Sequence, residues 1–264
     1  MTKKEKILDH NGTQIYYYTV GDNKREAVML LHPAFADHHI FSGQVDYLSK
    51  EHFVVLVDMI GHGKSCPGGS RVKMGDMPEI LSEIMAAEKI GKAHLAGVSL
   101  GSLIVQAFAD KYPERVRTVT IVGGYSIHKD NKEILKAQAG EMGKWLAYFL
   151  FSMKRFRKMV TKESVETERG RAVFLAGAQN FTRRSFSVMG GMNGIFAEKA
   201  EPMGYPMLIV CGAHDLKLIR TAGRRLHELE DNSTFVEVED AGHCANIDNP
   251  NAFNKAYSAF ISKM

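Results

Sequence analysis

Gly97-Val98-Ser99-Leu100-Gly101 is the stretch on which the fold turns. A short apolar run, Ala93-His94-Leu95-Ala96, precedes it and reads as a buried strand. After it, Leu100, Leu103, Ile104, Ala107 and Phe108 recur at helical spacing until Tyr112-Pro113. Ser99 therefore stands where a strand turns directly into a helix. A turn this tight strains the backbone of its central residue and lifts that side chain clear of the sheet. Strand and helix pass so closely that the flanking positions must lack bulk, and Gly97, Gly101 and Ser102 meet that need. The unpaired N–H groups of the new helix face the same point and favour negative charge there. An exposed hydroxyl beside such donors is a candidate nucleophile. A five-residue glycine-serine-glycine pattern also recurs by chance, so the chemistry needs a base, an acid and a second oxyanion donor elsewhere.

Reading outward, the flanking segments alternate between strand and helix patterns. Asn11-Gly12 is a hairpin turn between Ile7-Leu8 and Ile15-Tyr16-Tyr17-Tyr18. Ala27–Leu31 and Phe53–Val57 are continuous apolar runs of buried-strand type, and Val116–Val122 reads as the next strand. The patterns over Phe41–Leu48 and Met77–Ile90 are helical. Met207–Cys211 and Thr234–Val238 continue the strands, with helices around Thr221–Leu229 and Asn251–Ile261. Such alternation predicts an α/β fold, a mostly parallel sheet with helices on both faces. The rhythm breaks at about Ser126. From there to Glu201 the pattern is helical and rich in aromatics, so residues 126–201 are expected to form a helical insertion, with 1–125 and 202–264 as the core.

Bulk properties narrow the function classes. The 264 residues are 45% hydrophobic and 24% charged, ordinary for a soluble domain. A net charge of +4 is too small to point to nucleic acid. Three cysteines without a CxxC pair argue against a disulfide framework and for a reducing compartment. The charged opening residues lack the apolar run of a secretory signal, and Trp145–Phe151 is too short to span a bilayer. A soluble cytoplasmic protein is the expectation. Gly63-Lys64-Ser65 mimics the end of a phosphate loop, but Asp58 occupies the position of its first glycine, which excludes nucleotide binding.

Open parallel sheets bind ligands at the carboxyl ends of their strands. Ser99 follows one strand, Gly212-Ala213-His214-Asp215 another, and Glu239-Asp240-Ala241-Gly242-His243 a third. The sheet thus gathers a hydroxyl, a carboxylate and an imidazole at one end, in chain order Ser99, Asp215, His243. Asp215 alone also reads as a loop or capping carboxylate; its company with Ser99 and His243 is what singles it out. No carboxylate follows Val122, where the chain reads Gly123-Gly124-Tyr125-Ser126. His214 and Asp240 stay open as supporting groups.

At these residues the chain resembles the α/β-hydrolase superfamily, over nearly all its length. The serine elbow is residues 97–101, the oxyanion loop is His32-Pro33-Ala34-Phe35, and the Asp-x-x-Gly-His-Gly-x-Ser loop is Asp58–Ser65. The resemblance implies Ser99 as nucleophile, His243 as base and Asp215 as its orienting acid. It implies an oxyanion hole from the N–H groups of Leu100 and Ala34. Relatives often have glycine where this chain has Pro33; the assigned donor is the next residue, so the hole survives. His32 and His62 read as loop-fixing residues, and Cys244 as a small buried thiol. Phe35, Trp145 and Phe149 are the expected pocket residues, and Lys154-Arg155-Phe156-Arg157-Lys158 reads as a solvated helix face.

The resemblance implies a serine hydrolase of small carboxylic esters under a helical lid, with no metal or cofactor. Thioesterase, lactonase and perhydrolase chemistry stay open. So does a ligand-binding or signalling protein on the same scaffold with little turnover. Physiological substrate and oligomeric state are not written in these motifs.

Overall fold

A computed structural model describes residues 2–65, 71–128, 132, 134, 136, 145, 148–199 and 201–264. Cys66 and parts of the helical pattern expected over 126–201 lie outside these residues. Every apolar run read as a strand is one. The strands are β1 (Lys4–His10), β2 (Thr13–Val20), β3 (Ala27–Leu31), β4 (Phe53–Val57), β5 (Ala93–Val98), β6 (Val116–Val122), β7 (Met207–Gly212) and β8 (Ser233–Val238). They form one sheet in the order β1-β2-β4-β3-β5-β6-β7-β8. β1 and β2 pair antiparallel across Asn11-Gly12, and β2 pairs antiparallel with β4. All remaining pairs are parallel.

The pleat sends alternate residues into two cores. Met29 and Leu31 pack with Ile80 and Leu81 of α2 (Met77–Ala87) and Ile104 of α3 (Leu100–Lys111). Val28 and Leu30 pack on the other face with Leu48 of α1 (Ser42–Leu48) and Phe253 and Tyr257 of helix Pro250–Ile261. Covered on both faces, β3 and β4 are buried at every position, which is why they read as unbroken apolar runs.

Two helix boundaries differ from the sequence expectation by more than one residue. α2 ends at Ala87, not Ile90. Lys89 adopts a left-handed φ of 59°, and the Ile90 N–H donates back to the Met85 carbonyl at 2.8 Å. That closes the helix as a Schellman turn and tucks Ile90 into the core. The helix expected around Thr221 begins at Lys217, immediately after the Asp215 turn.

Between β6 and β7 the described regular structure is helical: Met153–Ser164, Glu168–Ala178, and two 3-10 segments, Arg183–Val188 and Met192–Ile195. Phe156, Phe174 and Phe181 bury completely in the second core. No described helix is long and apolar enough to cross a membrane.

Candidate active site

Ser99 sits between β5 and α3 with φ 49° and ψ −113°, a conformation unfavourable for a residue bearing a Cβ. Such strain costs about 1–3 kcal/mol and persists only where the surroundings over-determine it. Here they do. The Ser99 N–H donates to the Val122 carbonyl at 2.8 Å. Its carbonyl accepts the Ser102 N–H at 2.9 Å and the Ser102 hydroxyl at 2.5 Å. The glycines are needed for close approach. A Cβ on Gly97 would lie 2.2 Å from the Gly101 carbonyl, and one on Gly101 2.3 Å from the Leu31 carbonyl. The first turn of α3 is thereby pressed against the end of β3, where the His32 loop begins.

Asp215 is buried, and both its oxygens lie 3.1 Å from His243 Nδ1, which donates between them. Oδ1 also accepts the Leu216 N–H at 2.7 Å. The two loops are packed backbone to backbone: the His214 N–H donates to the Ala241 carbonyl at 2.9 Å, and a Cβ on Gly212 would lie 2.1 Å from the Gly242 carbonyl. Burial alone pushes the His243 pKa down, but the Asp215 charge and hydrogen bond outweigh it and hold the pKa above the usual 6.5. The His243 side chain keeps 19% of its surface exposed. Gly123 links it to the elbow. That residue follows Val122, the acceptor of the Ser99 N–H, and a Cβ on it would lie 3.0 Å from His243 Nδ1. Among the described residues, the Ser99 hydroxyl and His243 Nε2 each have no hydrogen-bond partner. His214 is exposed, and Asp240 is an exposed turn residue with φ 55°.

The loop after β3 is held by His32. Its ring is fully buried; Nε2 accepts the Met59 N–H at 2.9 Å and Nδ1–H donates to the Pro33 carbonyl at 2.7 Å. Two bonds of opposite sense set a neutral ring, and burial holds its pKa below 6.5. The Pro33 carbonyl and the Ala34 N–H belong to one planar trans peptide. Pinning that carbonyl to His32 turns the Ala34 N–H the opposite way. Among the described residues neither the Ala34 nor the Leu100 N–H donates to a protein acceptor. Both residues are half-buried. His62 is also buried and neutral, its pKa lowered to about 3 by burial, with Nδ1–H donating to the Ile60 carbonyl at 3.1 Å.

The aromatic residues singled out from sequence converge. Phe35 is buried with φ 69°, and its ring meets Trp145 edge-on at 5.5 Å, Phe156 at 5.1 Å and Phe181 at 5.0 Å. Phe149 joins through Phe186 at 4.1 Å. This cluster seats the helical segment on the His32 loop. Lys154, Arg155 and Lys158 are exposed, as a solvated face requires, whereas Arg157 turns inward to the Phe181 carbonyl at 2.8 Å and Phe156 is buried. Cys244 is buried and its thiol pKa is pushed well above the usual value, chiefly by burial, which leaves it inert.

Asp37, His38 and His39 bring their donor atoms within 4.8 Å of one another, close enough to suggest a metal site. Protein partners already use them. His39 Nδ1 and N–H bond Asp37 Oδ1, and His38 is engaged by Asp58 at Nδ1 and Lys3 at Nε2. The donor set does not fit a metal without breaking those bonds. No motif in the sequence marks His38, Asp37 or Asp248 as parts of this region, because each also binds a partner far away along the chain, Asp58, Asn180 and Thr167 respectively.

The family described as "alpha/beta hydrolase fold" matches residues 26–250. The chain belongs to this family. An (E)-2-((N-methylformamido)methylene)succinate hydrolase of Acinetobacter baylyi is 21% identical to it, with 99% of this chain and 98% of the relative covered. The enol-lactonase of Burkholderia xenovorans superposes with a TM-score of 0.80 at 22% identity, covering 97% of this chain and all of the other (100%). A thermophilic esterase of Thermogutta terrifontis does so with a TM-score of 0.79 at 18% identity, over 100% and 99%. The structural likenesses establish the shared fold, and the hydrolase relatives support a hydrolytic enzyme.

Proposed function

We propose that the protein is a serine hydrolase of small carboxylic esters, working through an acyl-enzyme on Ser99, with Asp215 and His243 completing the triad. The observation that carries the reading is His243: its Nδ1 is bound by a buried carboxylate, its Nε2 is unengaged, and its ring borders the residue that follows the elbow's anchor. In this reading Nε2 takes the Ser99 proton as Oγ attacks the carbonyl carbon. The carbonyl π pair moves onto oxygen, and the Leu100 and Ala34 N–H groups receive the oxyanion. Collapse breaks the bond to the alcohol, which leaves with the proton from His243. Water, activated by the same imidazole, then releases the acid.

Residues 126–201 serve as the lid over a core of 1–125 and 202–264. Phe35 on the core side and Trp145 and Phe149 on the lid side give this junction an apolar character suited to an acyl chain or aromatic alcohol rather than a sugar. An enol-lactone is an internal ester and suits the same machinery, and an enol-lactonase is among the structures this chain resembles. A fluorophosphonate probe tests the reading. It labels the wild type, and Ser99→Ala is unlabelled and loses turnover of p-nitrophenyl esters by about 10,000-fold or more. Turnover retained in folded Ser99→Ala refutes the serine mechanism. Labelling without turnover on any ester, thioester or lactone favours the binding role.

A further inference from the structure

Two carboxylates outside the proposed triad hold opposite ends of one helix, Glu168–Ala178. At its N-terminal end, Asp248 accepts the Thr167 N–H at 2.8 Å, the Thr167 hydroxyl at 2.9 Å and the Glu166 N–H at 3.0 and 3.1 Å. The same carboxylate accepts the Gly242 N–H at 3.0 Å. Thr167 in turn caps the helix, accepting the Gly170 N–H at 3.1 Å. On the other side of His243, the Cys244 N–H donates to the Ser164 carbonyl at 3.0 Å. Both neighbours of His243 are therefore tied to residues 164–167. At the C-terminal end of the helix, Asp37 accepts the Asn180 side-chain N–H at 3.3 Å. Gly177 lies so close that a Cβ there would sit 2.8 Å from Asp37 Oδ1. Asp37 belongs to the loop that carries Ala34.

We propose that Asp248 is a positioning residue for His243, through which the seating of helix Glu168–Ala178 sets where the imidazole stands. This rests on the reading of His243 as the general base. The physical reason is the number of donors that one carboxylate serves. Glu166, Thr167 and Gly242 present main-chain N–H groups that need an acceptor, and an ionised carboxylate binds them more strongly than a neutral oxygen does. Gly242 has no side chain to hold the loop, so its N–H bond does that work directly before His243. With Asp37 fixing the far end, one helix spans the base loop and the loop of the proposed oxyanion donor. A displacement of the imidazole by about 1 Å costs about 100-fold in rate.

The test is steady-state kinetics of Asp248→Asn on a p-nitrophenyl ester, with Thr167→Val and Ser99→Ala beside it. Asparagine keeps the size but leaves one acceptor oxygen for donors on two loops. The expected result is a kcat lower by about 10- to 100-fold with KM within about twofold, and a matching fall in the rate of fluorophosphonate labelling. Thr167→Val lowers kcat in the same direction by less, and adds nothing in the Asp248→Asn background. A merely structural role lowers the melting temperature without separating kcat from KM. Wild-type kcat in folded Asp248→Asn overturns the proposal; if that variant does not fold, wild-type kcat in Thr167→Val does so. Turnover surviving in Ser99→Ala refutes the serine reading and this inference with it. An inert Ser99→Ala beside a fully active Asp248→Asn refutes the positioning role alone.

Discussion

His243 and His38 are each paired with a buried aspartate, and the two pairs differ in one respect that matters for chemistry. His243 gives Nδ1 to Asp215 at 3.1 Å and leaves Nε2 without a partner among the described residues. His38 gives Nδ1 to Asp58 at 2.8 Å, but its Nε2 accepts from Lys3 Nζ at 2.9 Å, and its ring stacks on Tyr18 at 3.7 Å. Asp58 also accepts the His38 and Lys64 N–H groups and the Tyr18 hydroxyl. Burial pushes the Asp58 pKa up, but these bonds and the nearby histidines hold it below the usual 3.8. An imidazole becomes a base only when its second nitrogen can receive a proton. The His38 pair, with both nitrogens used, fastens the loop after β3 to the loop after β4.

That contrast breaks most sharply under mutation. Asp215→Asn is expected to lower kcat by about 10,000-fold through loss of the ring's tautomer and charge, with the melting temperature little changed. Asp58→Asn is expected to do the reverse: breaking a buried pair destabilises the fold by about 3–5 kcal/mol, read by urea unfolding, while kcat of the folded fraction stays near wild type. A large loss of kcat in Asp58→Asn at full stability makes the two pairs functionally alike and sinks the distinction.

The pH dependence sharpens it further. As the proposed general base His243 must be neutral, and its pKa is raised, so kcat/KM is expected to fall as pH drops through a value above 6.5. In Asp215→Asn burial is left unopposed and that limb moves to lower pH. Asp58 acts on stability instead. Its folded pKa is depressed, so its contribution is complete above 3.8 and disappears as pH falls through the lower folded value. The smallest effect belongs to Lys3→Met. Lys3 is exposed, and releasing His38 Nε2 is expected to cost less than about 1 kcal/mol in urea unfolding and to leave ester turnover unchanged.

Much of this was legible along the chain because local chemistry marks it. Asn11-Gly12 makes its hairpin, and Ser99 adopts the strained turn that its glycine neighbours anticipate. His32 and His62 are buried loop anchors, as the resemblance implied. Other features carry no local signal. Ile90 continues the helical period of α2, yet Lys89 ends the helix so that Ile90 can reach the core. Phe35, Trp145 and Phe149 are three aromatics in a sequence, and only packing shows Phe35 as the ring on which the helical segment rests. Asp248 reads as an ordinary carboxylate ahead of Asn249-Pro250, and its partners Glu166 and Thr167 lie some eighty residues away.

Periodicity and turn residues determined the strands and the sheet direction, and the order of Ser99, Asp215 and His243 picked out the end of the sheet to which the proposed chemistry is assigned. These follow from backbone sterics and from apolar side chains avoiding water, which act over a few residues at a time. Which imidazole keeps a free nitrogen, which carboxylate binds a ring and which binds main-chain N–H groups were decided by the tertiary structure alone. A hydrogen bond depends on ångström distances between atoms that the chain brings together only when it closes on itself.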